Sequence, residues 1–150
     1  MILSRRDVRT PTRMFEYGTF EPAETATAPV GYYLLPSAAE AIERLEAHGV
    51  GVEPSSGARQ APIERFRIDS TSGAPRPFQG RVERTVWGSW VPVTEDVPAG
   101  AVYVPLDQPL GRLAFSLLEP RSDDGFVAWA ILDSDIERGV MPVLRVTRPR

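Results

Sequence analysis

Gly31-Tyr32-Tyr33-Leu34-Leu35-Pro36-Ser37-Ala38-Ala39-Glu40-Ala41-Ile42-Glu43-Arg44-Leu45-Glu46-Ala47-His48-Gly49 decides the fold class. Its first part, residues 31–35, is a short apolar run bounded by Pro29 and Pro36, the pattern of a buried strand. After Pro36 the period changes. Ala38, Ala41, Ile42 and Leu45 recur at helical spacing. Ser37 with Glu40 three residues later reads as a capping box, and Gly49 as the C-terminal stop. A helix over about 38–48 is predicted. Strand followed by amphipathic helix means a sheet covered by helices.

On the C-terminal side, Gly49–Val52 is expected to begin a short strand and Glu53–Ala61 to be a turn-rich loop. From Ile63 to Ile68, Phe66 and Ile68 share one face and arginines line the other, so this is a strand with one wet face. Ser70–Gly80 reads as a loop. Arg81–Thr94 reads as a β-hairpin turning at Gly88-Ser89 in a type II′ turn, with Trp87 and Trp90 facing each other across it. Such a pair would contribute about 0.5–1 kcal/mol. Ala101–Val104 is a strand. A second helix over about 108–118 carries the stripe Leu110, Leu113, Ala114, Leu117 and Leu118, with Pro109 near its start and Pro120 at its end. Phe126–Leu132 and Val140–Val146 are predicted strands, with Trp129 in the core. Toward the N-terminus, weak alternation through Val8, Met14, Phe15, Tyr17 and Phe20 predicts one or two strands in residues 1–20. The expected fold is therefore α+β, a mainly antiparallel sheet with two helices. The 150 residues suit a single domain.

The residue inventory narrows the chemistry. All 17 basic residues are Arg, there is no Lys, Cys or Asn, and His48 is the sole histidine. No Schiff-base lysine, thiol nucleophile, disulfide or thiolate zinc site can be built. One imidazole cannot make a two-His metal site. Placed in the last turn of the first helix, His48 suits the dipole there and lacks any motif naming a nucleophile and an orienting acid. Asp123 and Asp124, with Glu119 nearby, could form a cation site, but they lack the alternating carboxylates of a calcium loop and read more simply as a turn ending at Gly125. Nothing in the spacing selects the two carboxyls of a carboxylate-based hydrolase.

Net charge is −3, and arginines cluster only near the termini, which argues against a nucleic-acid partner. No apolar run approaches the length of a membrane span. Ser4-Arg5-Arg6 lacks the apolar segment that a twin-arginine signal requires, so the chain carries no readable address. The candidate docking or binding residues are Phe78, Trp87, Trp90 and Arg112. The aromatics are stacking platforms near a turn, and Arg112 lies beside Gly111 at a helix start, where an anion can be received.

Pro98-Ala99-Gly100, Val102-Tyr103-Val104-Pro105, Gln108-Pro109-Leu110-Gly111-Arg112-Leu113-Ala114, Leu117-Leu118-Glu119-Pro120, Ser122-Asp123-Asp124-Gly125 and Trp129 together resemble the C-terminal region of bacterial M14-type zinc carboxypeptidases. Pro77-Phe78-Gln79-Gly80, Tyr32 to Pro36 and Pro142-Val143-Leu144-Arg145-Val146 look similar too. The resemblance implies that a catalytic domain lies before such a region and carries zinc on a His-x-x-Glu pair and a later His. His48 is followed by Gly49, Val50 and Gly51 and does not match. No catalytic or metal residue is carried over, and no cofactor is expected. The implied role is a non-catalytic accessory domain partnered by a metallocarboxypeptidase catalytic domain. The alternative is a stand-alone peptide- or glycan-binding module using exposed aromatics.

Overall fold

The computed structural model describes residues 11, 13–16, 18–55 and 60–147. Six antiparallel strands make one sheet: β1 (Gly31–Leu34), β2 (Glu53–Pro54), β3 (Gln60–Gly73), β4 (Arg84–Asp96), β5 (Val102–Pro105) and β6 (Val143–Val146), in the spatial order β2-β5-β1-β6-β3-β4. Helices α1 (Ala39–Ala47), α2 (Gly111–Leu118) and the single turn α3 (Asp133–Ile136) complete the α+β architecture. Of the predicted strands in residues 1–20, the part over 1–10, 12 and 17 lies outside the described residues, and the rest of the segment is not strand.

Strand alternation divides the core in two. Tyr32 and Leu34 of β1, Val104 of β5, Val143 of β6 and Phe66 of β3 face the helices and pack with Ala41, Leu45, Ala114 and Leu118. Tyr33, Tyr103, Leu144, Val146 and Ile63 build a smaller cluster on the opposite face, with Val97 and Ala101. All four residues of β1 are buried. The ring of Tyr103 lies over Gly31, where a Cβ would collide with the phenol oxygen, so the strand must begin with glycine.

Helix α1 starts differently from the capping-box expectation. Pro36 opens a 3-10 turn over Pro36–Ala38, so Ser37 is already inside the winding and no side chain caps the helix. Glu40 instead accepts from Arg44, one turn on, at 2.7 Å. The helix ends as expected: Gly49 takes φ of 81°, and the Gly49 and Val50 N–H groups donate to the Glu46 and Leu45 carbonyls. Helix α2 begins at Gly111, three residues later than the expected 108, because Gln108–Leu110 form a turn closed by Gly111 N–H to Gln108 O.

Three further expectations are corrected. First, β2 occupies Glu53–Pro54, after Gly49–Val52 and inside the expected loop, while β3 starts at Gln60 and runs on to Gly73, through Ser70–Gly73, which also read as loop. Second, no turn exists at Gly88-Ser89. Strand β4 passes straight through, with Gly88 opposite Ile68, Ser89 opposite Arg67 and Trp90 opposite Phe66, so Trp87 and Trp90 do not face each other. Gly88 serves a close approach, since a Cβ there would run into the Arg67 carbonyl. The tight turn is Gln79-Gly80, both at positive φ, between the paired residues Phe78 and Arg81, the geometry of a type I′ turn. Third, Phe126–Leu132 is no strand but a coil of successive turns, with the Trp129 N–H on Gly125 O and the Ile131 N–H on Phe126 O. Its apolar residues fill the helix-side core, while Trp129 is only half-buried. The last strand is shorter than read, Val143–Val146.

Candidate functional site

Beyond β6 the β3–β4 hairpin continues as the outer end of the sheet, and α2 packs on the same face. Between β4 and α2 lies a cleft of 590 Å³. Phe66, Trp90 and Phe115 supply its apolar surface, and Arg112, Arg121 and Arg145 its cations. Each comes from a different part of the fold: Arg112 from the first turn of α2, Arg121 just after α2, and Arg145 from β6 beside the center of the sheet.

Arg145 is the anchor. Its neighbors across the ladder are Tyr32 on β1 and Glu64 on β3, so it points to the helix side. There it donates to Glu119 through Nε at 2.9 Å and Nη2 at 2.5 Å, with Glu64 3.8 Å from Nη1. Its guanidinium carbon lies 4.4 Å from the Trp90 ring centroid. Trp90 in turn meets Phe66 edge-on at 5.3 Å. Glu119 sits at the C-terminal end of α2, where Pro120 stops the helix, and is only 6 % exposed. It also accepts from the Tyr32 hydroxyl at 2.5 Å. Burial first, then the charge of Glu119 and its hydrogen bond, push the Tyr32 phenol far above its ordinary range, so it remains a donor. The buried charges are thus paired and hydrogen-bonded.

A second pair closes the mouth of the cleft. Arg121 holds Glu24 through Nε and Nη2, the closest approach 2.8 Å, and also donates to the Val86 carbonyl of β4 at 2.9 Å. Hydrogen bonds from Arg121 hold the Glu24 carboxyl below the usual range, its charge adding to the effect.

Of the sequence-predicted residues, the cleft brings together Trp90 and Arg112. Trp87 lies on the same strand, 44 % exposed, with the Arg121 guanidinium 5.9 Å from its ring centroid. Phe78 is elsewhere, 63 % exposed at the hairpin tip, its ring 6.4 Å from that of Trp129 over a separate hollow of 140 Å³. Asp123 and Asp124 line that hollow with Arg81. Among the described residues no group of three or more His, Asp or Glu side chains is placed to hold a metal ion. No helix among them is long and apolar enough to cross a membrane. His48 ends α1, exposed, its Nδ1 2.7 Å from the Arg44 carbonyl.

Sequence reasoning missed Arg121, Arg145 and Glu24, and weighed Glu119 only as a neighbor of Asp123 and Asp124, not as the buried partner of Arg145. Two signals were present. Arg145 interrupts the apolar run Val143-Leu144-Arg145-Val146, and Glu119 closes an apolar helix. A charge inside a buried run needs a buried partner.

No protein-family profile and no solved structure matches the chain. Curated relatives do. Carboxypeptidase 2 of Trichophyton tonsurans is 28% identical over 120 residues, and that of Trichophyton rubrum 29% over 120 residues; each alignment covers 78% of this chain and 22% of the relative. Probable carboxypeptidase 2 of Arthroderma benhamiae is 30% identical over 112 residues, 73% of this chain and 21% of the relative. The chain therefore spans about a fifth of the length of the proteins it resembles. These relatives are fungal, which corrects the bacterial affiliation expected from the sequence.

Proposed function

We propose that this chain is a non-catalytic accessory region of an M14-type metallocarboxypeptidase-like protein. Its role is to pack against a catalytic domain, stabilizing it or guiding peptide substrate toward it. The observation that carries this reading is the similarity to carboxypeptidase 2 proteins over only a fifth of their length. The composition supports it: one imidazole and no thiol leave too few soft ligands for a hydrolytic zinc site. The exposed Phe78 at the hairpin tip and Trp87 on β4 are the apolar groups offered to such a neighbor.

The test is direct. Purified protein incubated with zinc and dialyzed is expected to retain no stoichiometric metal and to leave C-terminal peptide bonds intact. Added to a carboxypeptidase catalytic domain that lacks this region, it is expected to raise that domain's melting temperature. Bound zinc with turnover would overturn the reading. A stand-alone peptide- or glycan-binding module is the second reading, favored by the aromatic floor of the β4–α2 cleft.

A further inference from the structure

The segment across the mouth of the cleft, residues 21–28, has no regular secondary structure and is exposed along its whole length. Among the described residues it is held by hydrogen bonds at one side chain only, Glu24. Thr25, Ala26 and Thr27 line the cleft without a bulky anchor. Such a strap is tethered by a single exposed ion pair, a weak hold in water.

Underneath, the charge is one-sided. With Glu24 set aside, the lining presents the guanidinium groups of Arg112, Arg121 and Arg145 against the carboxylate of Glu119. Glu119 is already taken up by Arg145 and Tyr32, and Glu64 lies 3.8 Å from the same Arg145 outside the cleft, so Arg112 and Arg121 are the cations open to a ligand. Asp123 acts on Arg121 from outside the cleft, more weakly than Glu24. Arg112 is exposed and makes no ion pair with a described residue. On a chain of net charge −3, this is a positive hollow floored by aromatic rings. Ser116 and Ser122 complete the helix side, and the opposite wall includes Gly88 and Ser89 of β4, the outermost strand of the sheet, whose Val86 carbonyl already accepts from a side chain at that edge.

We propose that the cleft is a recognition site for an extended acidic peptide segment, and that Glu24 is its resident self-ligand. A carboxylate of the incoming segment replaces Glu24 on Arg121 and gains Arg112, which the strap leaves unpaired. Its backbone lies along the β4 edge, and its small or apolar side chains rest on Trp90 and Phe115. The inference holds whether the chain acts alone or beside a catalytic domain.

The probe is a fluorescent heptapeptide, Pro-Ala-Glu-Thr-Glu-Thr-Ala, the sequence of residues 22–28 with Glu in place of Ala26 so that a second carboxylate on the same face of the extended chain is offered to Arg112, titrated against the full chain by anisotropy. Glu24→Gln is expected to bind it about two- to fivefold more tightly than the unaltered chain, because the intramolecular competitor is gone. Adding Arg112→Gln to that variant should weaken binding several-fold without moving the thermal melt. A peptide with Gln for Glu should lose binding, as should raised salt. The proposal falls if Glu24→Gln gains no affinity, if the Gln peptide binds equally well, or if a uronic-acid oligosaccharide binds where the peptide does not.

Discussion

The cleft between β4 and α2 contains the same chemical pairing twice, at two depths. Arg145–Glu119 lies at the inner wall with side chains 11 % and 8 % exposed; Arg121–Glu24 lies at the mouth with 34 % and 54 %. The inner pair is pinned from several sides, by the Tyr32 hydroxyl, the Trp90 ring and Glu64. The outer pair joins a helix end to an otherwise loose strap. Geometry is nearly equal, both being forked guanidinium–carboxylate contacts, so solvent access makes the difference. The inner pair specifies how α2 sits on the sheet. The outer pair can be exchanged for another carboxylate.

The most severe challenge to that contrast is to empty the inner pair. Glu119→Gln leaves the buried Arg145 with only the more distant Glu64, at 3.8 Å, as countercharge and is expected to cost about 3 kcal/mol in urea unfolding. A loss below about 1 kcal/mol would make the two pairs equivalent. Gly88→Ala comes next. The new methyl runs into the Arg67 carbonyl and meets the Phe66 ring at 2.7 Å, so the platform under Trp90 must shift. Roughly 1–3 kcal/mol is expected, with a change in tryptophan fluorescence. The smallest effect belongs to the outer pair. A double-mutant cycle on Glu24 and Arg121 should return about 0.2–1 kcal/mol. Its pH dependence has a definite sign. The folded carboxyl titrates below its unfolded value, so the contribution is complete above the unfolded value and is lost as pH falls through the folded one. Chemical shifts of Thr25 and Thr27 should therefore hold at neutral pH and move toward unstructured values in acid, a transition that Glu24→Gln abolishes.

Much of the scaffold was legible locally. Tyr32-Tyr33-Leu34 between prolines, the stripe Ala41, Ile42 and Leu45, and the Gly49 stop each express one element's own periodicity. The errors came where one residue type serves two purposes. Gly88 looks the same whether it turns a chain or lets a carbonyl approach, and only the facing strand decides. Phe126–Leu132 is apolar enough for a buried strand, yet Ala130 at φ of 56° and the Gly125 and Phe126 carbonyls coil it beneath the helices. The cleft was half legible. Trp90 and Arg112 were named from their types and positions, but Glu24, Glu119 and Arg145 meet only because β1 draws β6 into the sheet.

That same central position of β1 has a kinetic consequence. Its hydrogen-bonded neighbors, β5 and β6, come from far downstream, whereas β3 and β4 pair with each other across the short connection 74–83, which has the Gln79-Gly80 turn at its tip. Local closure is fast and distant closure slow. The hairpin is thus expected to form first and Tyr32-Tyr33-Leu34 to lock in last, once the final strand arrives to flank it.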